Sequence, residues 1–73
     1  MPTLRDIPQR DAVRAFVRLG GLERTGKGSH RVVKAANGRN LSIPSGPLRI
    51  GLLRRLIRIA EVTDDDFVQA LEK

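Results

Sequence analysis

The dipeptide Asn37-Gly38 lies between two short β-type runs, residues 30–35 and 39–43, and constrains this chain more than any other local feature. Asn-Gly between strand-like runs is a strong hairpin signal, because both residues tolerate the positive φ that tight turns require. The length of the turn decides which side chains share a face, since strand side chains alternate and a slip of one residue inverts the set. A two-residue loop would pair odd positions with even ones and set Lys34 beside Leu41 on the buried side. A three-residue loop with Gly38 in a bulge pairs like parities instead. It sorts the residues cleanly, with Val33, Ala35, Leu41 and Ile43 on one face and His30, Val32, Lys34, Asn40 and Ser42 on the other. The bulged turn is therefore expected, and it points His30 away from the core.

Helical signals flank this hairpin. Asp6 and Gln9, three residues apart with Pro8 in the first turn, predict a capping box that opens a helix. Val13, Phe16, Val17 and Gly20 then recur at helical spacing, while Arg10, Arg14 and Arg18 sit four apart on another side. Gly20-Gly21 ends that helix. Residues 22–25 are a candidate short strand, and Gly26-Lys27-Gly28-Ser29 is a turn. Pro44-Ser45-Gly46-Pro47 breaks the last strand and leads to a second helix over residues 48–60. Its Ile50, Leu53, Leu56, Ile57 and Ala60 fall on one stripe, widened by Leu52 and Ile59, with Arg54, Arg55 and Arg58 opposite. Thr63 followed by Asp64, Asp65 and Asp66 predicts the N-terminus of a last short helix, with Phe67 and Leu71 looking inward. The order is helix, three strands, helix, short helix: an α+β fold in one domain, residues 1–73, with no repeat and no linker.

Composition narrows the function classes. A chain of 73 residues supports one small core, which excludes Rossmann, barrel and kinase architectures. Zero cysteines exclude disulfides, thiolate zinc sites and cysteine nucleophiles, and suit a reducing cytosol. No apolar run approaches the roughly 20 residues that span a bilayer, and residues 1–6 lack a signal-peptide pattern, so a cytoplasmic protein with no membrane partner is expected. Fourteen Lys and Arg against eight Asp and Glu give a net charge of +6, which points to a polyanion, RNA or DNA ahead of a lipid surface. Two Phe and no Trp or Tyr leave little from which to build a base-stacking platform, so recognition of backbone and shape is favoured.

His30 is the chain's one imidazole, which also removes a His-rich metal site. A lone His in a small basic domain is more often an ordinary surface residue, but the surroundings of this one argue for chemistry. It follows a glycine-flanked turn that Gly28 and Ser29 shape, on the open face, with Lys27, Arg31 and Lys34 nearby in sequence to hold a phosphate. An imidazole exchanges protons near neutrality, and RNA cleavage by the chain's own 2′-hydroxyl requires that exchange, whereas DNA lacks the nucleophile. Such chemistry needs no metal and no other cofactor. The turn is not a Walker loop, since that pattern runs from a strand into a helix and this one precedes a strand. Asp64, Asp65 and Asp66 read as an acidic first helical turn rather than a metal cluster. The arginines of the second helix are a solvated face unless they lie beside His30 or another basic strip.

Taken in order, Gly26-Lys27-Gly28-Ser29-His30, Asn37-Gly38-Arg39, Ile43-Pro44 and Gly51-x-Leu53-Arg54 resemble the HicA family of toxin mRNA interferases. The similarity runs from Leu4 to Phe67 and includes Leu19-Gly20-Gly21-Leu22, where the family usually reads Leu-Gly-Phe. Each piece is weak alone, and the ordered set is fairly specific. The resemblance implies a fold like the double-stranded-RNA-binding domain, α-β-β-β-α, here followed by the short C-terminal helix. It implies a metal-independent endoribonuclease that cleaves mRNA in a toxin–antitoxin stress response, with His30 as the catalytic residue and a HicB-type antitoxin as the partner that occludes the site. The chain departs from the family pattern at Ser45-Gly46-Pro47, where many members carry a second His, and at Leu52 and Glu61. A non-catalytic RNA-binding module of the double-stranded-RNA-binding type would need the same basic surface but not His30.

Overall fold

In the computed structural model, which describes residues 4–24, 28 and 30–72, the elements run β1 (Ile7–Pro8), α1 (Gln9–Arg18), β2 (Leu22–Arg24), β3 (Arg31–Lys34), β4 (Asn40–Ile43), β5 (Pro47–Leu48), α2 (Ile50–Ala60) and α3 (Asp64–Leu71). This is a small α+β domain of three helices and two antiparallel sheets, one ordered β2-β3-β4 and the other the short pair β1-β5.

The turn at Gly38 is the bulged one. Arg31 pairs with Ile43, Val32 with Ser42, Val33 with Leu41 and Lys34 with Asn40, so like parities face each other. Gly38 has φ +89°, its N–H donates to the Ala35 carbonyl at 2.9 Å, and the Ala35 N–H donates to the Arg39 carbonyl at 2.8 Å. Asn37 serves the turn twice: its Oδ1 accepts from the Arg39 N–H at 3.1 Å, and its Nδ2 donates to the Ile59 carbonyl at 3.0 Å, tying the hairpin to α2. Val33, Leu41 and Ile43 are fully buried and Ala35 nearly so, whereas Lys34, Asn40 and Ser42 are exposed.

The helices cover the odd-numbered face. On α2, Leu53, Leu56, Ile57 and Ala60 are buried, Ile50, Leu52 and Ile59 are half-buried, and Arg54, Arg55 and Arg58 are exposed, as the stripe predicted. Phe67 of α3 packs on Phe16 of α1 with ring centroids 4.9 Å apart and planes tilted by 50°, a favourable aromatic geometry. Thr63 and Asp66 form the capping box that opens α3, Oγ1 of Thr63 accepting from the Asp66 N–H at 3.0 Å, and Leu71 is half-buried against the core.

Three details differ from expectation, and each follows from a competing burial. Asp6 and Gln9 do not cap the first helix: α1 opens after Pro8 with no side-chain cap. Ile7 is instead buried against Leu48 in the β1-β5 bridge, which brings Asp6 to α2, where its Oδ1 accepts from the Ile50 N–H at 3.1 Å. Gln9 Nε2 donates to the Ile43 carbonyl at 2.9 Å. The same bridge takes Leu48 into β5, so α2 starts at Ile50 rather than two residues earlier. Finally, α1 is pressed between the sheet and α3, so small Ala12 and Ala15 join Val13 and Phe16 in the core while Val17 is left 40% exposed.

Helix ends show how glycine is used. After α1 the Gly20 N–H donates to the Val17 carbonyl and the Gly21 N–H to the Phe16 carbonyl, both at 3.0 Å, a Schellman closure with Gly20 at φ +97°. A Cβ on Gly21 would meet the Phe16 carbonyl oxygen at 2.7 Å and Val33 Cγ1 at 2.8 Å, so the backbone here passes too close for any side chain. After α2 the same closure is made with Glu61 at φ 60° and ψ 40°, the Glu61 N–H donating to Arg58 and the Val62 N–H to Ile57.

An L-residue side chain in that left-handed conformation is strained, so Glu61→Gly should stabilise the fold by about 0.5–1 kcal/mol after the entropy that glycine adds to the unfolded chain. Thermal unfolding checks it, as a rise of a few degrees. Leu53→Ala should cost about 2–5 kcal/mol while exposed Arg55→Ala costs little. Equal urea midpoints for the two variants would contradict the assignment of helix faces.

Candidate functional site

The even-numbered face of the three-stranded sheet is not covered by a helix, and this makes it the candidate site. Its chemistry follows from register. In β2, Leu22 pairs with Lys34 and Arg24 with Val32, so Leu22 and Arg24 belong to the same face as Lys34 and Val32. His30 stands one residue before β3, at a position that continues this alternation, and is exposed. The face thus carries Arg24, His30 and Lys34, with Asn40 and Ser42 as neutral hydrogen-bonding groups and Leu22 and Val32 as apolar ground; none of its described residues is a carboxylate.

Spacing gives these groups different reach. His30 and Lys34 are four residues apart along an extended chain, about 13 Å between backbone positions. Arg24, directly opposite Val32, is diagonal to both, at about 7–8 Å from each backbone position. It is therefore the cation nearest to His30 among the described residues of the face. Nothing within residues 22–25 shows how β2 registers against β3, so spacing alone does not reveal Arg24; the pairing of Leu22 with Lys34 and Arg24 with Val32 does.

The remaining expected site residues divide. Gly28 is exposed at φ +61° with open space around it, while Lys27 and Ser29 lie outside the described residues. Arg31 does not join His30. It is an odd-numbered residue of β3, and its Nε donates to Glu23 Oε2 at 2.7 Å, a pair closed by a second contact from Nη2. It lines a groove with Arg10, Arg14 and Arg18 of α1, on the other side of the sheet from His30. The arginines of α2 do not line the open face either, because the core-facing side of that helix lies toward the sheet and they lie opposite.

Among the described residues, no three His, Asp or Glu side chains gather where they could hold a metal ion. The three aspartates of α3 serve its N-terminus, with Asp66 in the capping box and Asp64 at 3.9 Å from Arg54 Nε. Among the described residues no helix is long and apolar enough to cross a membrane. Compared with known proteins, the chain matches no family model and no curated protein sequence.

An exposed side chain ahead of a strand has little packing to lose. His30→Ala should therefore leave stability within roughly 1 kcal/mol of wild type, and a urea titration showing a larger loss would place the imidazole in a structural contact instead.

Proposed function

We propose that this chain is an endoribonuclease that cuts mRNA through His30, of the toxin kind that the HicA resemblance implies, on a fold of the double-stranded-RNA-binding type. The observation that supports it is the uncovered sheet face on which Arg24, His30 and Lys34 stand together with no carboxylate among the described residues to repel phosphate. In this reading the neutral imidazole takes the proton of a 2′-hydroxyl. The freed oxygen attacks the adjacent phosphorus, the bond from phosphorus to the 5′-oxygen breaks, and the imidazolium returns its proton to that leaving oxygen. The products are a 2′,3′-cyclic phosphate and a 5′-hydroxyl, and the imidazole ends as it began. Arg24 holds the reacting phosphate because it is the nearer cation, and Lys34 holds one further along the strand. Gly28 and Ser29 shape the turn and Lys27 adds charge to it. Neither a metal nor any other cofactor enters.

One positioned acid–base group contributes about 10²–10⁴-fold, so the enzyme is slow, and slow cleavage of message is enough to arrest growth in the cytoplasm. An antitoxin of HicB type would silence it by covering the open face. The second reading, an RNA-binding module without chemistry, draws on the same cations and rests on His30 being the chain's single imidazole.

Incubation with a labelled single-stranded RNA separates the two. Cleavage should persist in EDTA, leave the phosphate at the 3′ end of the upstream fragment and a hydroxyl at the 5′ end of the downstream one, stop when the nucleotide 5′ to the break is deoxy, and be lost in His30→Ala. Cutting of the deoxy-substituted strand, or cutting lost in EDTA and restored by magnesium, would sink the mechanism. Binding without cutting, by folded protein free of any partner, would establish the module.

A further inference from the structure

Behind the open face, α1 and the β2-β3 strands enclose a second surface with a different character. It is a groove of about 530 Å³ lined by Arg10, Val13, Arg14, Val17, Glu23 and Arg31, together with Arg18. Val17 is one of only two large apolar side chains that are exposed among the described residues, the other being Leu22. The cations of the groove are not equivalent. Arg31 is occupied by Glu23, and Arg18 Nη1 donates to the Ala70 carbonyl at 2.8 Å, tying α1 to α3. Arg10 meets only its neighbour Asp11, at 3.9 Å with its own side chain 78% exposed. The Arg14 side chain makes no ion pair or hydrogen bond among the described residues. Arg10 and Arg14 therefore stand one helical turn apart, both exposed, above a floor of Val13 and Val17.

We propose that this groove binds an acidic segment of a partner protein, with an apolar side chain seated on Val13 and Val17 and carboxylates on either side meeting Arg10 and Arg14. Charge complementarity selects the occupant: Arg14 without an ion-pair partner and Arg10 held only at 3.9 Å by Asp11, one turn apart, favour carboxylates that they can grip bidentately. The floor decides against nucleic acid. A phosphodiester backbone has nothing apolar to bury on two valines, whereas a peptide uses both the valines and the arginines. Because the groove is on the far side of the sheet from His30, the proposal does not depend on what the open face does.

The test is fluorescence anisotropy on the full chain with a labelled dodecapeptide of Glu-Glu-Leu-Leu repeated three times. The same peptide with Gln for Glu and a short single-stranded RNA serve as comparison probes, and each variant is checked by circular dichroism. Wild type should bind the Glu peptide and not the Gln peptide, and more weakly as salt rises. Arg10→Ala with Arg14→Ala should weaken binding about tenfold, the scale of two partly exposed ion pairs. Val17→Asp should weaken it comparably, and Arg55→Ala, an equal loss of charge on α2, should not. If the double variant fails to fold, Arg14→Glu alone carries the same readout. Equal affinity of wild type and the groove variants, equal binding of the Gln peptide, or loss of RNA binding rather than peptide binding would each overturn the proposal. So would a concentration-dependent dimer of wild type that the double variant abolishes, since the occupant would then be a second copy of this chain.

Discussion

Pairing of Val33 with Leu41 and Arg31 with Ile43 sets everything else in this domain. Each fully buried aliphatic side chain is worth about 1.5–3 kcal/mol relative to exposure, so a one-residue slip that inverted β4 and turned out Leu41 and Ile43 would cost about 3–6 kcal/mol, a large part of a small domain's stability. The bulge at Gly38 is what permits this register, and Asn37 extends the constraint by holding the end of α2. The same alternation that sends three aliphatic side chains inward sends His30, Lys34 and, through β2, Arg24 outward. Core and candidate site are two sides of one register.

Charge follows a second pattern. Residues 1–60 carry thirteen of the fourteen Lys and Arg and only three carboxylates, and those three are spoken for. Asp6 caps α2, Asp11 lies near Arg10, and Glu23 holds Arg31. Five further carboxylates fall in residues 61–73, where Asp64, Asp65 and Asp66 complement the positive end of α3. With acids kept to the C-terminal end, cationic surface is left on both sides of the sheet. The two sides differ in what surrounds the cations: polar groups and an imidazole on the open face, valines and a glutamate in the groove. That difference is why RNA is proposed for one and an acidic polypeptide for the other.

The sequence by itself determined those features whose causes are local. Asn37-Gly38 with its alternating flanks decided register and the outward position of His30, the 3.6-residue stripe decided the faces of α2, and Thr63 with three aspartates decided where α3 begins, because turn sterics, helical periodicity and capping act within a few residues. Tertiary structure decided what depends on distant partners. Asp6 looked like a cap for its own helix and became the cap of one 44 residues away, because burying Ile7 against Leu48 outweighs a local hydrogen bond. Val17 left the core because α3 claimed the small-residue side of α1. Arg31 left the candidate site and Arg24 entered it, since which face a cation joins depends on strand pairing, and no spacing within one strand contains the register of the next.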